Sequence, residues 1–354
     1  MADGFGARLG RAVEGLTPGY FALVMATGII SVGTHLEGHV LVSDALLALC
    51  AGAFVVLLVL TVARLTLHRT AMVSDFMDPG RAFGFFTFVA GTNVLGVRLG
   101  LAGHPSVTAG LLVASGLAWL VLGYVVPWTA VLGREERPVV RSANGTWFIW
   151  VVASQSVAVA AATIEPVFDQ SRRGLAVLAV MSWSVGVALY CAAGLIVSLR
   201  LMLYELGPLE LTPPYWVSMG ALAITVLAGA RIVEMADAPM VAVTRDLVAG
   251  LAVVFWAFAT WLIPVLIAAG WWRHVHCRVP LIYEATLWSI VFPLGMYAVA
   301  GIYLGRADHL PLVEGVGRVV LWVALATWVI VFVAMCSHVL RTVLAPSPRP
   351  TVRS

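Results

Sequence analysis

The sequence predicts an all-α integral membrane protein of ten transmembrane helices, and three observations carry that expectation. Hydrophobic residues make up 61% of the chain and charged residues only 11%, against about 25% charged in soluble domains. Apolar runs of roughly 20 residues, enough to cross a ~30 Å hydrocarbon layer as helices, recur along the chain. Third, the openings of alternate runs resemble one another, which divides the chain into five two-helix units.

In order, the predicted spans cover residues 17–35, 40–64, 80–101, 106–131, 144–163, 174–203, 213–230, 246–270, 280–303 and 314–341. Residues 1–16 form a short leading segment, 17–341 the membrane domain and 342–354 a tail. The leading segment has Arg8 and Arg11 but no apolar core or A-x-A site; the expectation is a retained first span rather than a cleaved signal.

Ten spans put both termini on one side. All 21 basic residues are arginines, and the connections divide them unequally. The terminal side holds Arg8, Arg11, Arg64, Arg69, Arg81, Arg134, Arg137, Arg141, Arg200, Arg273, Arg278, Arg341, Arg349 and Arg353; the other side holds Arg98, Arg172, Arg173, Arg231, Arg245, Arg306 and Arg318. By the positive-inside rule both termini are expected in the cytoplasm of a plasma or inner membrane. A net charge of +3 gives no indication of nucleic acid binding. Cys50, Cys191, Cys277 and Cys336 are too scattered for a disulfide framework.

The odd spans open alike: Thr17-Pro18-Gly19-Tyr20, Asp78-Pro79 with Phe83, Asn144-Gly145-Thr146-Trp147, Thr212-Pro213-Pro214-Tyr215-Trp216, and Pro280 with Tyr283. Three of these pair a capping residue with proline at the first helical position. Anchors at 18, 79, 144, 213 and 280 lie 61, 65, 69 and 67 residues apart, so each interval is one hairpin. Repeats of two spans keep their orientation and are related by an axis along the membrane normal. The expected architecture is a pseudo-fivefold ring.

Ten to thirteen residues past each anchor, the odd spans carry small, polar or helix-bending residues, whereas the even spans are Leu-, Val- and Ala-rich. Polar groups in a membrane face the protein interior or a wet path. Odd helices are therefore expected inside and even helices outside, with Thr27, Gly28, Gly91, Asn93, Gln155, Thr225 and Pro293 lining a central path. The simpler reading of any one of them is close helix packing. A neutral polar lining suits permeation, since conduction needs binding weak enough to be left again.

The stretches TPGYFALVMATGIISVG (17–33), DPGRAFGFFTFVAGTNVLG (78–96), GTWFIWVVASQSVAV (145–159), PPYWVSMGALAITVLAG (213–229) and WSIVFPLGMYAVA (288–300) resemble the tellurite-resistance/dicarboxylate transporter family, which includes plant slow anion channels. The resemblance implies ten helices in five hairpins, a pore through each protomer of a homotrimer, and small anions as the permeating species. It also implies that a span-nine phenylalanine plugs the pore, and Phe292 matches that position. A core aromatic beside the kink at Pro293 is the plainer account.

Glu284 precedes Phe292 by eight residues. Read as an ionisable group inside a span, it supports a second function, proton-coupled transport of a dicarboxylate, sulfite or tellurite-type oxyanion. A hydrogen bond to a neighbouring helix is the alternative. A membrane enzyme would draw on Asp75, Asp78, His274 and His276. Asp78 before Pro79 reads better as a cap, and the His274-Val275-His276-Cys277 loop lacks a second ligand cluster for zinc. No catalytic residue, metal or cofactor is expected. Arg245 and Asp246, placed at the start of span eight, read as interfacial anchors.

Overall fold

The computed structural model describes residues 5–133, 137–236 and 238–344. The predicted tail from 345 onward, with Arg349 and Arg353, lies outside the described residues, as does Arg134. Among the described residues ten helices are long and apolar enough to cross a membrane: Pro18–Leu36, Val40–Leu67, Ala82–Leu101, Pro105–Leu132, Gly145–Ile164, Asp169–Leu203, Pro213–Val233, Pro239–His276, Ala285–Ala307 and Pro311–Leu344. These are spans one to ten below. A leading helix, Phe5–Glu14, sits against the end of span ten, where Arg8 Nε donates to the Val343 carbonyl at 2.9 Å. The first and last described residues therefore lie on one face.

Burial separates the spans by parity. In the odd spans 78 to 89% of the apolar window is buried, against 17 to 33% in the even spans. Each odd span packs on the even span that follows it and on the next odd span, and span nine returns to span one. The five odd helices thus close an inner ring, with five even helices outside. The even helices turn large apolar and aromatic side chains outward, including Leu41, Val59, Tyr124, Trp261 and Ile330, as lipid contact requires.

Every odd span begins with a single 3₁₀ turn before its α-helix: Pro18–Phe21, Ala82–Phe85, Gly145–Trp147, Pro213–Trp216 and Ala285–Leu287. Proline fits these starts because its missing N–H would have no helical acceptor. The sequence anchors are right in spans one and seven, where Pro18 and Pro213 open the turn. Elsewhere they run early. Asp78 Oδ1 accepts from the Gly80 N–H at 2.8 Å, closing an Asx turn that delays span three to Ala82. Residues 277–284 are irregular, so span nine starts at Ala285 rather than Pro280. Of the expected caps only Asn144 acts as one, accepting from the Thr146 N–H at 2.8 Å; Thr17 and Thr212 make no such bond.

Span eight also begins early. With Pro239 at its first turn it holds Arg245 and Asp246 well inside the helix. Arg245 Nη2 reaches back to the Met235 carbonyl at 3.0 Å, so the pair does not open the span.

Candidate functional site

Two cavities lie along the axis of the inner ring, and all five odd spans contribute to each. On the face that carries the termini, a vestibule of about 270 Å³ is formed where the five 3₁₀ turns converge. Its wall is mostly polar and small: Thr17 and Gly19, Gly80 and Arg81, Asn144 and Thr146, Thr212, and Thr286 and Ser289. Towards the other face a second cavity is walled by Ile29, Asn93, Ser156, Ile224 and Met296, with Arg231 and Tyr303 at its far end. Its free space, about 20 Å³, is room for about one water.

Phe292 falls between the two. Ser289, Phe292 and Met296 follow one another at i, i+3 and i+7, which is one helix face. Ser289 walls the vestibule and Met296 the second cavity, and Phe292, between them in the helix, is 1% exposed. One turn below the lining residues of the other spans stand Ala26, Ala90, Val152 and Ala221, all fully buried. Four small or slender side chains and one aromatic share this level.

The backbone that holds Phe292 is clamped. A Cβ on Gly220 would come within 2.8 Å of the Pro293 ring, and one on Gly295 within 2.9 Å of Ile29. Spans seven and one therefore touch span nine at glycine on either side of Phe292. Pro293 supplies no N–H to the Ser289 carbonyl one turn back.

Of the residues expected to line the path, Asn93 is the one that walls either of these two cavities. Its Nδ2 donates to Ser156 Oγ at 2.9 Å, and its Oδ1 accepts from Ser115 Oγ of span four at 2.6 Å. The others turn towards neighbouring helices. Thr27 Oγ1 accepts from Trp328 Nε1 of span ten at 2.9 Å, and Gln155 Nε2 donates to the Trp183 carbonyl of span six at 3.2 Å. Thr225 bonds its own helix, while its carbonyl accepts from Trp183 Nε1 at 3.1 Å. Gly28 packs on Val94 and Cys50, Gly91 on Phe21 and Val24, and Pro293 on Gly220. A polar group in an apolar medium seeks a partner, and the outer ring supplies it.

The profile of the family described as Voltage-dependent anion channel, SLAC1, matches residues 15–336. The chain belongs to this family. An uncharacterized membrane protein of Mycobacterium tuberculosis is 65% identical over 155 residues, 44% of this chain and 79% of the relative. Two uncharacterized transporters of Methanocaldococcus jannaschii are similar over nearly the full length. One is 22% identical over 334 residues, 92% of this chain and 94% of the relative; the other is 21% identical, with 92 and 96% covered.

As a SLAC1-family protein this is a multi-pass membrane anion transporter or channel, and the family resemblance read from the odd spans agrees with the match. Three of the four residues considered for enzymatic chemistry, Asp75, Asp78 and His274, have partners of their own. Asp75 forms ion pairs with Arg64 (Nη1 to Oδ2, 2.8 Å) and Arg81 (Nε to Oδ1, 3.0 Å), Asp78 closes its turn, and His274 Nδ1 lies 2.9 Å from the Val279 carbonyl. Among the described residues no three His, Cys, Asp or Glu gather as metal ligands.

Glu284 is not inside a span. It precedes the first turn of span nine, half-buried, and its Oε2 accepts from Thr286 Oγ1 at 3.1 Å. Thr286 in turn walls the vestibule. Beside it, burial pushes the Tyr283 hydroxyl far above the ordinary tyrosine range, so it stays neutral while hydrogen-bonded to Tyr20 at 2.8 Å.

Sequence reasoning missed Arg231, which it counted as a loop arginine. The residue ends span seven, pairs with Glu234 at 2.8 Å and lies over the Tyr303 ring at 5.4 Å. It is the one charged side chain on the wall of the second cavity. Periodicity offered a signal, because Arg231 lies seven residues past Ile224 on the same helix face.

Proposed function

We propose that small anions cross the membrane along the axis of the inner ring, from the vestibule through the second cavity, and that Phe292 closes this path. The carrying observation is that Ser289 and Met296 wall different cavities on one face of span nine, with Phe292 between them. The five hairpins are read as a pseudo-fivefold arrangement about that axis, and three such protomers as a homotrimer. On the arginine count the vestibule opens to the cytoplasm of a plasma or inner membrane.

Electrostatics favour anions at both ends. Five helix N-termini surround the vestibule, each contributing ~0.3–1 kcal/mol of attraction for an anion in its first turn, and Arg81 adds a positive charge. Arg231 stands at the other end. Between them the lining is neutral, so an anion is drawn in without being held.

Because glycine contacts fix the span-nine backbone, opening is a swing of the Phe292 side chain. Comparing the anion conductance of Phe292→Ala with wild type in reconstituted bilayers tests the reading. Higher conductance is expected, and unchanged conductance of a correctly folded variant rejects the gate.

A second reading, proton-coupled transport, draws on Glu284, whose partner Thr286 borders the vestibule. In it the carboxyl takes up a proton as the anion passes.

A further inference from the structure

Four arginines are buried among the described residues: Arg64, Arg98, Arg200 and Arg273. The first three each hold a carboxylate, Asp75, Asp44 and Glu210 respectively. Arg273 differs. It is 7% exposed, its Nη1 donates to the Leu211 carbonyl at 2.7 Å, and its Nε is buried without a partner. No carboxylate of the described residues pairs with it. A guanidinium taken out of water without a counter-ion is costly, so the site calls for an anion from outside the chain.

Its surroundings indicate which kind. Arg273 borders a groove of about 790 Å³ that runs between spans six and eight over the start of span seven. The groove is apolar, with Leu195, Phe258, Leu262 and Trp216 on its walls. It opens through the outer ring, away from the axial path. Arg273 sits in the last turn of span eight, beside the exposed Trp271 and Trp272 and before the exposed Leu281 and Ile282. Tryptophan girdles of this kind mark the level of lipid headgroups. Arg278, exposed in the same connection, adds a second positive charge.

We propose that an anionic glycerophospholipid occupies this groove, with its phosphate on Arg273 and an acyl chain along the wall of spans six and eight. A basic pocket between membrane helices, at the headgroup level, is the geometry that recognises such lipids. The apolar length of the groove excludes a free inorganic anion as the resident, since it offers that ion nothing beyond the arginine.

The test is native mass spectrometry of the full chain, delipidated in detergent and incubated with equimolar phosphatidylglycerol and phosphatidylcholine. Wild type is expected to retain one phosphatidylglycerol per protomer, with about fivefold preference over phosphatidylcholine. Arg273→Gln loses the preference, and Arg273→Lys keeps part of it. Gly194→Leu tests the groove independently of folding around Arg273, because a Cβ at Gly194 meets nothing within 4 Å and extends into open groove; it is expected to lose the bound lipid. Equal retention of the two lipids by wild type overturns the proposal. So does unchanged phosphatidylglycerol in folded Gly194→Leu, or crosslinking of the exposed Cys191 on the groove wall to a second copy of the chain with no lipid present.

Discussion

Ser289 and Met296 lie two turns apart on one face of span nine, and each walls a different axial cavity. Phe292 lies between them, three residues past Ser289 and four before Met296, and its side chain is buried. The proposed gate rests on this register, with the neighbouring Pro293 taken up against Gly220.

Arg231 is a charged side chain on the wall of the second cavity and shares its charge with Glu234. Arg231→Gln is expected to lower anion current and move the reversal potential in a salt gradient towards non-selectivity. Glu234→Gln, which releases the arginine from its ion pair, moves both the other way. Identical reversal potentials for the two variants and wild type would separate Arg231 from permeation.

At the vestibule, Gly145 has no room for a side chain: a Cβ there would overlap the Pro214 backbone and the Tyr215 nitrogen. Backbone cannot yield as a flexible side chain does, so Gly145→Ala is expected to cost about 3 kcal/mol, the upper end for overpacking. Gly110→Ala, at a site with nothing within 4 Å, is the control. Thermal unfolding in detergent compares them, and equal midpoints contradict the close contact of spans five and seven.

Asp75 joins two elements, taking Arg64 of span two and Arg81 at the vestibule. Asp75→Asn leaves Arg64 buried and unpaired, and a loss of about 3 kcal/mol is expected. Adding Arg64→Met recovers part of it by removing the stranded charge. If Asp75→Asn unfolds at the wild-type temperature, the pair contributes nothing.

Proton coupling makes its own demand on Glu284. An imposed pH gradient should drive anion uptake in proteoliposomes, and Glu284→Gln should abolish that component while leaving flux down an anion gradient. Uptake that ignores pH removes the second reading.

The division into buried odd and exposed even spans was legible in the sequence, because lipid contact demands apolar side chains around most of an outer helix and the inner helices are free of that demand. Azimuth was not, and the path residues show why: mid-span polarity says that a group needs a partner but not on which side the partner stands. Thr27, Gln155 and Thr225 meet tryptophans of the outer ring, Trp328 and Trp183, and those tryptophans, set in mid-span rather than at an interface, were the overlooked signal. Asn93, among the residues expected to line the path, both bonds across spans and borders the second cavity. The start of span nine was misplaced because Pro280 looks like a first helical residue, whereas the chain runs irregularly to Ala285 and carries Glu284 out of the helix.

Whether anions pass along the axis is answered most directly at Met296. In a Phe292→Ala background, Met296→Cys places a thiol on the wall of the second cavity, and an anionic methanethiosulfonate reagent then puts a fixed negative charge in the path. Block of the anion current, with no effect on Phe292→Ala lacking the added cysteine, is the predicted result. Full modification of the thiol with undiminished current would mean that anions take another route.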